Sequence, residues 1–126
     1  MPNQASAPAR ALESEIVGRL AKFFPEAMPV RVPIQLSRCE TSAMGKGKLG
    51  RERWSPLEET VIEFGTAKEV FFQVKHRLEF ADQVLVESKD GSFRGEASVV
   101  AAQYHPEATV VAARFLKQVP DWIVKS

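Results

Sequence analysis

Four basic residues, Lys46, Lys48, Arg51 and Arg53, fall within eight positions, opposed only by Glu52 and followed by Trp54. Such a run can grip an anion. Guanidinium groups hold phosphate bidentately, neighbouring glycines let backbone amides approach, and an indole stacks on a base. The same composition serves equally well as a solvated loop whose charge keeps the chain soluble. The segment Gly45-Lys46-Gly47-Lys48-Leu49-Gly50 formally matches G-x-G-x-x-G. A dinucleotide site needs that motif between a strand and a helix, and here no apolar helical period follows and no β-α-β unit is available.

Catalytic groups are sparse. Cys39 is the single cysteine, and His76 and His105 are the two histidines. A cysteine–histidine nucleophile pair is conceivable, yet neither histidine sits in a local signature for one, and a lone cysteine beside a strand is ordinarily a small packed side chain. His76 reads as a surface residue at a strand end and His105 as part of a turn. One cysteine excludes an internal disulfide and a multi-cysteine zinc site, and no cofactor or metal is expected. No enzymatic activity is expected either.

The chain has 126 residues, 44% hydrophobic and 26% charged, with 17 Lys+Arg against 16 Asp+Glu. Those proportions fit one globular domain with a core of its own and leave no room for a multi-domain enzyme. A protein that replaces the counterions of a DNA duplex carries a large basic excess, so duplex nucleic acid is not expected as a partner. No apolar run approaches the length of a membrane span, and the first fifteen residues lack the apolar centre of a signal peptide, so the cytoplasm is the expected compartment.

The elements that would position these groups follow from periodicity. Residues 1–8 are small and polar and read as a loose tail. Residues 9–24 place Leu12, Ile16, Leu20 and Phe23/Phe24 on one helical face, and Pro25 and Pro29 end the helix. That face is expected to pack on the rest of the chain; the alternative is a homodimer contact. After Pro29 the period becomes two, with Val30, Val32, Ile34 and Leu36 on one face of a strand that Pro33 marks as an edge or bulged strand. Residues 41–56 read as a long polar loop. Strand patterns return at 60–64, 69–76, 83–88, 92–104 and 109–116, with Asp90-Gly91 the strongest hairpin signal and 105–108 a second turn. Trp122, Ile123 and Val124 give the C-terminus apolar surface to bury. The expected fold is mainly β: about six antiparallel strands closed into a small barrel, with an N-terminal helix.

From Val30 onward this order of elements resembles a PilZ domain, the small β-barrel that commonly senses cyclic di-GMP in bacteria. Arg31-Val-Pro-Ile-Gln-Leu36 resembles the approach to the family's first strand. Glu69-Val-Phe-Phe-Gln-Val74 followed by Leu78-Glu-Phe-Ala-Asp-Gln-Val84 resembles a strand and the L-x-x-G-x-x-V step after it, with Ala81 where glycine is usual. Gly95–Val100 through Ala112–Leu116 resembles the last two strands. The resemblance covers residues 27–124.

The family's ligand motifs are where the chain departs. In R-x-x-x-R the second arginine corresponds to Arg31 and the first to Ala27. The marked positions of D/N-x-S-x-x-G fall on Phe64, Thr66 and Glu69, or one residue back on Glu63, Gly65 and Lys68. Losing a bidentate arginine from a desolvated phosphate costs on the order of a few kcal/mol, roughly a hundredfold or more in affinity. The resemblance therefore implies a non-enzymatic signalling or adaptor module with weak or lost cyclic di-GMP binding, acting on a protein partner. One alternative keeps the nucleotide, bound by Arg31 and Thr66 with Arg51, Arg53, Lys46, Lys48 and Trp54 in support. Another is a barrel for single-stranded nucleic acid, with Phe71 beside Trp54 as stacking aromatics.

Overall fold

The computed structural model describes residues 16–39 and 54–124. Six antiparallel strands form a closed barrel: β1 (Met28–Cys39), β2 (Trp54–Gly65), β3 (Glu69–Val74), β4 (Gln83–Ser88), β5 (Arg94–Tyr104) and β6 (Thr109–Phe115). Their order around the ring is β1-β2-β3-β6-β5-β4. Four of the six neighbouring pairs are consecutive hairpin partners. The other two are β3 with β6 and β1 with β4, so the link from β3 to β4 crosses one end of the barrel.

Alternation decides which side chains fill the barrel. Ile34 and Leu36 on β1, Ile62 on β2, Val70, Phe72 and Val74 on β3 and Val84 and Val86 on β4 are all buried in one cluster, with Val30 and Val32 packed against it. Arg31 and Pro33, which alternate with them before Ile34, stay exposed. β1 pairs with β2 from end to end and with β4 from Ile34 to Arg38. Pro33 sits just before the β4 ladder begins, beside a bulge between Pro29 and Val32. Its carbonyl still accepts the Lys89 amide at 2.9 Å, and the donor it lacks falls beyond the end of that ladder. The expected edge or bulge is present, in a strand that is nonetheless central to the closure.

The two ends are sealed differently. At one, Phe93, Phe115 and Trp122 meet edge to face with centroids 5.2–6.3 Å apart. Trp122 is buried and its indole donates to the Thr66 carbonyl at 2.7 Å. Of the other C-terminal apolar residues, Val124 is half-buried and Ile123 is exposed. At the opposite end the crossing segment inserts Leu78, held by a hydrogen bond from the Tyr104 hydroxyl to its carbonyl at 2.8 Å. The guanidinium of Arg77 lies 3.9 Å above the Tyr104 ring.

The N-terminal helix, α1, is short among the described residues, spanning 16–21. It packs on its own barrel: Val17, Leu20 and Ala21 bury against the outward-facing Phe71, Val110 and Ala112. Phe24 adds an edge-to-face contact with Phe71 at 4.8 Å. Two expectations change here. Residues 22–26 form turns rather than helix, with Phe23 and Phe24 amides bonding three residues back, and Phe23 consequently swings out to 74% exposure. β2 begins at Trp54, so Trp54-Ser55-Pro56 belong to a strand paired with Ser37–Cys39 rather than to the polar loop. The part of the expected helix before residue 16 lies outside the described residues.

The Asp90-Gly91 turn forms as its residues require. Gly91 has φ +77°, Ser92 N–H donates to the Asp90 carboxylate at 2.9 Å, and the Ser92 bonds hold the Asp90 carboxyl below its ordinary range. A carboxyl whose folded-state pKa is lowered contributes stability above its unfolded value and loses it as pH falls through the folded one. The protection of the Ser92 amide relative to its intrinsic exchange rate is therefore expected to fall as the Asp90 carboxylate protonates on the acid side, with that step absent in Asp90→Asn.

Ala81 is the one non-glycine residue with positive φ among those described, at +75°. Its amide donates to the Val99 carbonyl at 2.8 Å, and Asp82 N–H closes the turn on the Glu79 carbonyl at 3.0 Å, so the surroundings fix the strained conformation. This is the position at which the L-x-x-G-x-x-V step has glycine. Relief of a left-handed alanine outweighs the extra freedom glycine brings to the unfolded chain, so Ala81→Gly is expected to stabilise by about 0.5–1 kcal/mol. Thermal denaturation should show a rise of about 2–5 °C; a fall would contradict the assigned strain.

Candidate functional site

The β2–β3 turn and its flanks carry Phe64, Thr66 and Glu69, the positions that correspond to D/N-x-S-x-x-G in the resemblance. Thr66 is buried, and its hydroxyl is fully used. It donates to the Glu69 carboxylate and accepts the amides of Lys68 at 3.1 Å and Glu69 at 2.8 Å. One donor and two acceptor sites are all a hydroxyl has, so none remains for a ligand. The Glu69 carboxylate is buried too and takes two bonds from Arg114, Nε at 2.9 Å and Nη2 at 2.7 Å. The ladder fixes this meeting, because Glu69 and Arg114 are partners across β3 and β6. Thr66, Glu69, Arg114 and Trp122 thus form one cluster joined by hydrogen bonds, closed toward the core and open to solvent only at the Arg114 guanidinium.

Arg31 lies at the β1 bulge next to that turn, exposed and without a carboxylate partner among the described residues. Ala27 and Phe64, where the motifs would have arginine and aspartate or asparagine, line a cavity of about 390 Å³ beneath α1 together with Arg19 and Lys22. Trp54 stands at the other end of the β1–β2 hairpin, half-buried opposite Cys39. Cys39 lies eight residue steps along the strand from Arg31, about 26 Å at ~3.3 Å per step. The structure therefore brings Arg31 and Thr66 to one end of the barrel and Trp54 to the other. Lys46, Lys48, Arg51 and Arg53 lie outside the described residues.

The remaining candidates are placed as follows. His76 is exposed, and its Nδ1 meets the Glu58 carboxylate at 2.7 Å rather than Cys39, which ends β1 half-buried. His105 stands in the β5–β6 turn with its Nε2 enclosed and without a hydrogen-bond partner among the described residues. Phe71 is fully buried beneath α1, so it offers no exposed face for stacking on a base. Among the described residues no group of three or more His, Cys, Asp and Glu side chains is placed to hold a metal ion, and no helix is long and apolar enough to cross a membrane.

A second feature was not visible in the sequence. β2 and β3 pair only at Phe64–Phe71 and Gly65–Val70, then separate. Inward-facing polar side chains of β2 bridge the gap. The Thr60 hydroxyl donates to the Gln73 carbonyl at 2.6 Å, and the Glu58 carboxylate accepts the amides of Lys75 and His76 at 2.9–3.1 Å. Outside the gap lies a groove of about 710 Å³, walled by β2, the end of β3, Ile16 and the turn His105–Ala108. Volumes of this order are typical of binding sites.

No family model, curated protein or solved structure matches this chain.

The buried Glu69 carboxylate depends on Arg114, whose side chain is about half exposed. Arg114→Met is expected to destabilise by about 1–2 kcal/mol, less than for a fully buried pair because solvent reaches the guanidinium. Chemical denaturation measures it, and Glu69→Gln/Arg114→Met should recover most of the loss, since no unpaired charge then remains.

Proposed function

We propose that the chain is a PilZ-like adaptor barrel that acts by binding a protein partner and has weak or no affinity for cyclic di-GMP. One observation carries the reading: the turn corresponding to the ligand motif is occupied by its own side chains. Thr66 has no free hydrogen-bonding position, and Glu69 fills with carboxylate the place where the motif has glycine. A dianionic nucleotide seated there would meet a negative charge whose arginine is already engaged. Of the two motif arginines only Arg31 is present. The barrel order and the left-handed backbone at Ala81 are consistent with the resemblance, and fold and ligand site are separable because function belongs to the site.

Isothermal titration with cyclic di-GMP at low salt tests this directly. No saturable heat is expected up to high micromolar nucleotide. Micromolar binding abolished by Arg31→Ala, or by Arg51→Ala/Arg53→Ala, would establish the receptor reading instead.

A further inference from the structure

We propose that the groove outside the β2–β3 gap receives an extended, lysine- or arginine-bearing segment of the partner protein. The inference rests on the adaptor reading and gives that partner a chemistry. Among the described residues the groove is lined by Glu58, Glu59, Glu63 and Glu107 against a single lysine or arginine, Lys75. Glu59 and Glu107 stand exposed at the rim, whereas Glu58 already accepts the Lys75 and His76 amides and Glu63 is half-buried. Between them lie apolar Ile16, Val61, Pro106 and Ala108. Carboxylates at the rim with an apolar floor suit a chain whose side chains alternate between basic and aliphatic, the pattern of an extended segment.

The groove exists because the ladder stops. From Trp54 to Ile62 no residue of β2 pairs with β3, so the strand presents an edge that is bridged only on its inner side by Glu58 and Thr60. The His105 Nε2, enclosed and without a hydrogen-bond partner among the described residues, adds polar capacity in the groove wall. A second copy of this chain docking by the same strand is disfavoured. β2 carries Glu58, Glu59 and Glu63 and no basic residue, so strand-to-strand pairing would set like charges against each other. A basic segment meets no such opposition.

The probe is a fluorescein-labelled eight-residue peptide of alternating lysine and valine, followed by anisotropy against the whole chain, with a glutamate–valine peptide as control. Saturable binding of the basic peptide alone, weakening as salt is raised, is expected. Glu59→Lys/Glu107→Lys, at two exposed positions, should lower affinity by about tenfold or more, whereas Glu79→Lys/Glu96→Lys outside the groove should leave it within about twofold. Equal binding of both peptides, no binding, or equal losses in the two variants would overturn the groove assignment. None of these outcomes bears on the nucleotide titration. Cyclic di-GMP binding would remove the adaptor reading, while peptide failure alone removes only this surface.

Discussion

Six strands close into a ring here because β1 pairs along both edges, with β2 over its whole length and with β4 from Ile34 to Arg38. That double pairing is demanding for a strand containing a proline, since each internal N–H has a ladder to serve. The chain meets the demand by position. Pro33 precedes the β4 ladder, one bulge lies before it between Pro29 and Val32, and a second falls between Leu36 and Ser37. The bulges shift register so that Ile34 and Leu36 point inward and Ser37 is also buried. Without this closure β4 would be an open edge and Leu78 would have no barrel end to fill.

Closure also explains why β2 and β3 can separate without exposing the core. With the other five contacts around the ring intact, the gap is spanned by side chains rather than backbone. Thr60 and Glu58 face inward beside Ile34 and Leu36 of β1, at positions where a barrel ordinarily has apolar residues. Their oxygens take over hydrogen bonds that a continuous ladder would have made with Gln73, Lys75 and His76. The polar residues are thus satisfied where they sit, and the cavity outside them follows from the shortened ladder.

Much of this fold is legible in the sequence because the signals are local. Alternating apolar residues mark β1, β3 and β4, and Asp90-Gly91 marks a turn that forms with the expected positive φ. The start of β2 is not legible. Trp54-Ser-Pro56 reads as the end of the polar loop, since its place in a strand depends on pairing with Ser37–Cys39, and the polar Glu58 and Thr60 that follow are called for by the gap. Phe23 misleads for the opposite reason: its spacing fits the helix face, but the helix ends at residue 21 and turns the ring outward. Of the candidate site, Thr66 and Arg31 are found by resemblance. The role of Glu69 is hidden because its partner Arg114 lies 45 residues further on and only the β3–β6 register joins them.

The two ends of the barrel consequently differ in what they leave available. Around Thr66 the hydroxyl, the carboxylate and the indole each have partners within the chain, and Trp122 closes the space beneath them. Gly65 illustrates how little room is left, since a β-carbon there would lie 2.5 Å from the Trp122 ring. A ligand at that turn would have to displace satisfied buried groups, at a cost of about 1–3 kcal/mol for each one left unpaired. At the other end, the carboxylates of Glu59 and Glu107 lie at the surface beside a groove, and Glu59 shares its charge with Lys89 through an exposed contact at 2.8 Å. Exposed pairs of that kind contribute little and exchange easily. A ligand would therefore displace fewer satisfied groups at the rim over the β2–β3 gap than at the turn around Thr66, whose groups hold the scaffold together.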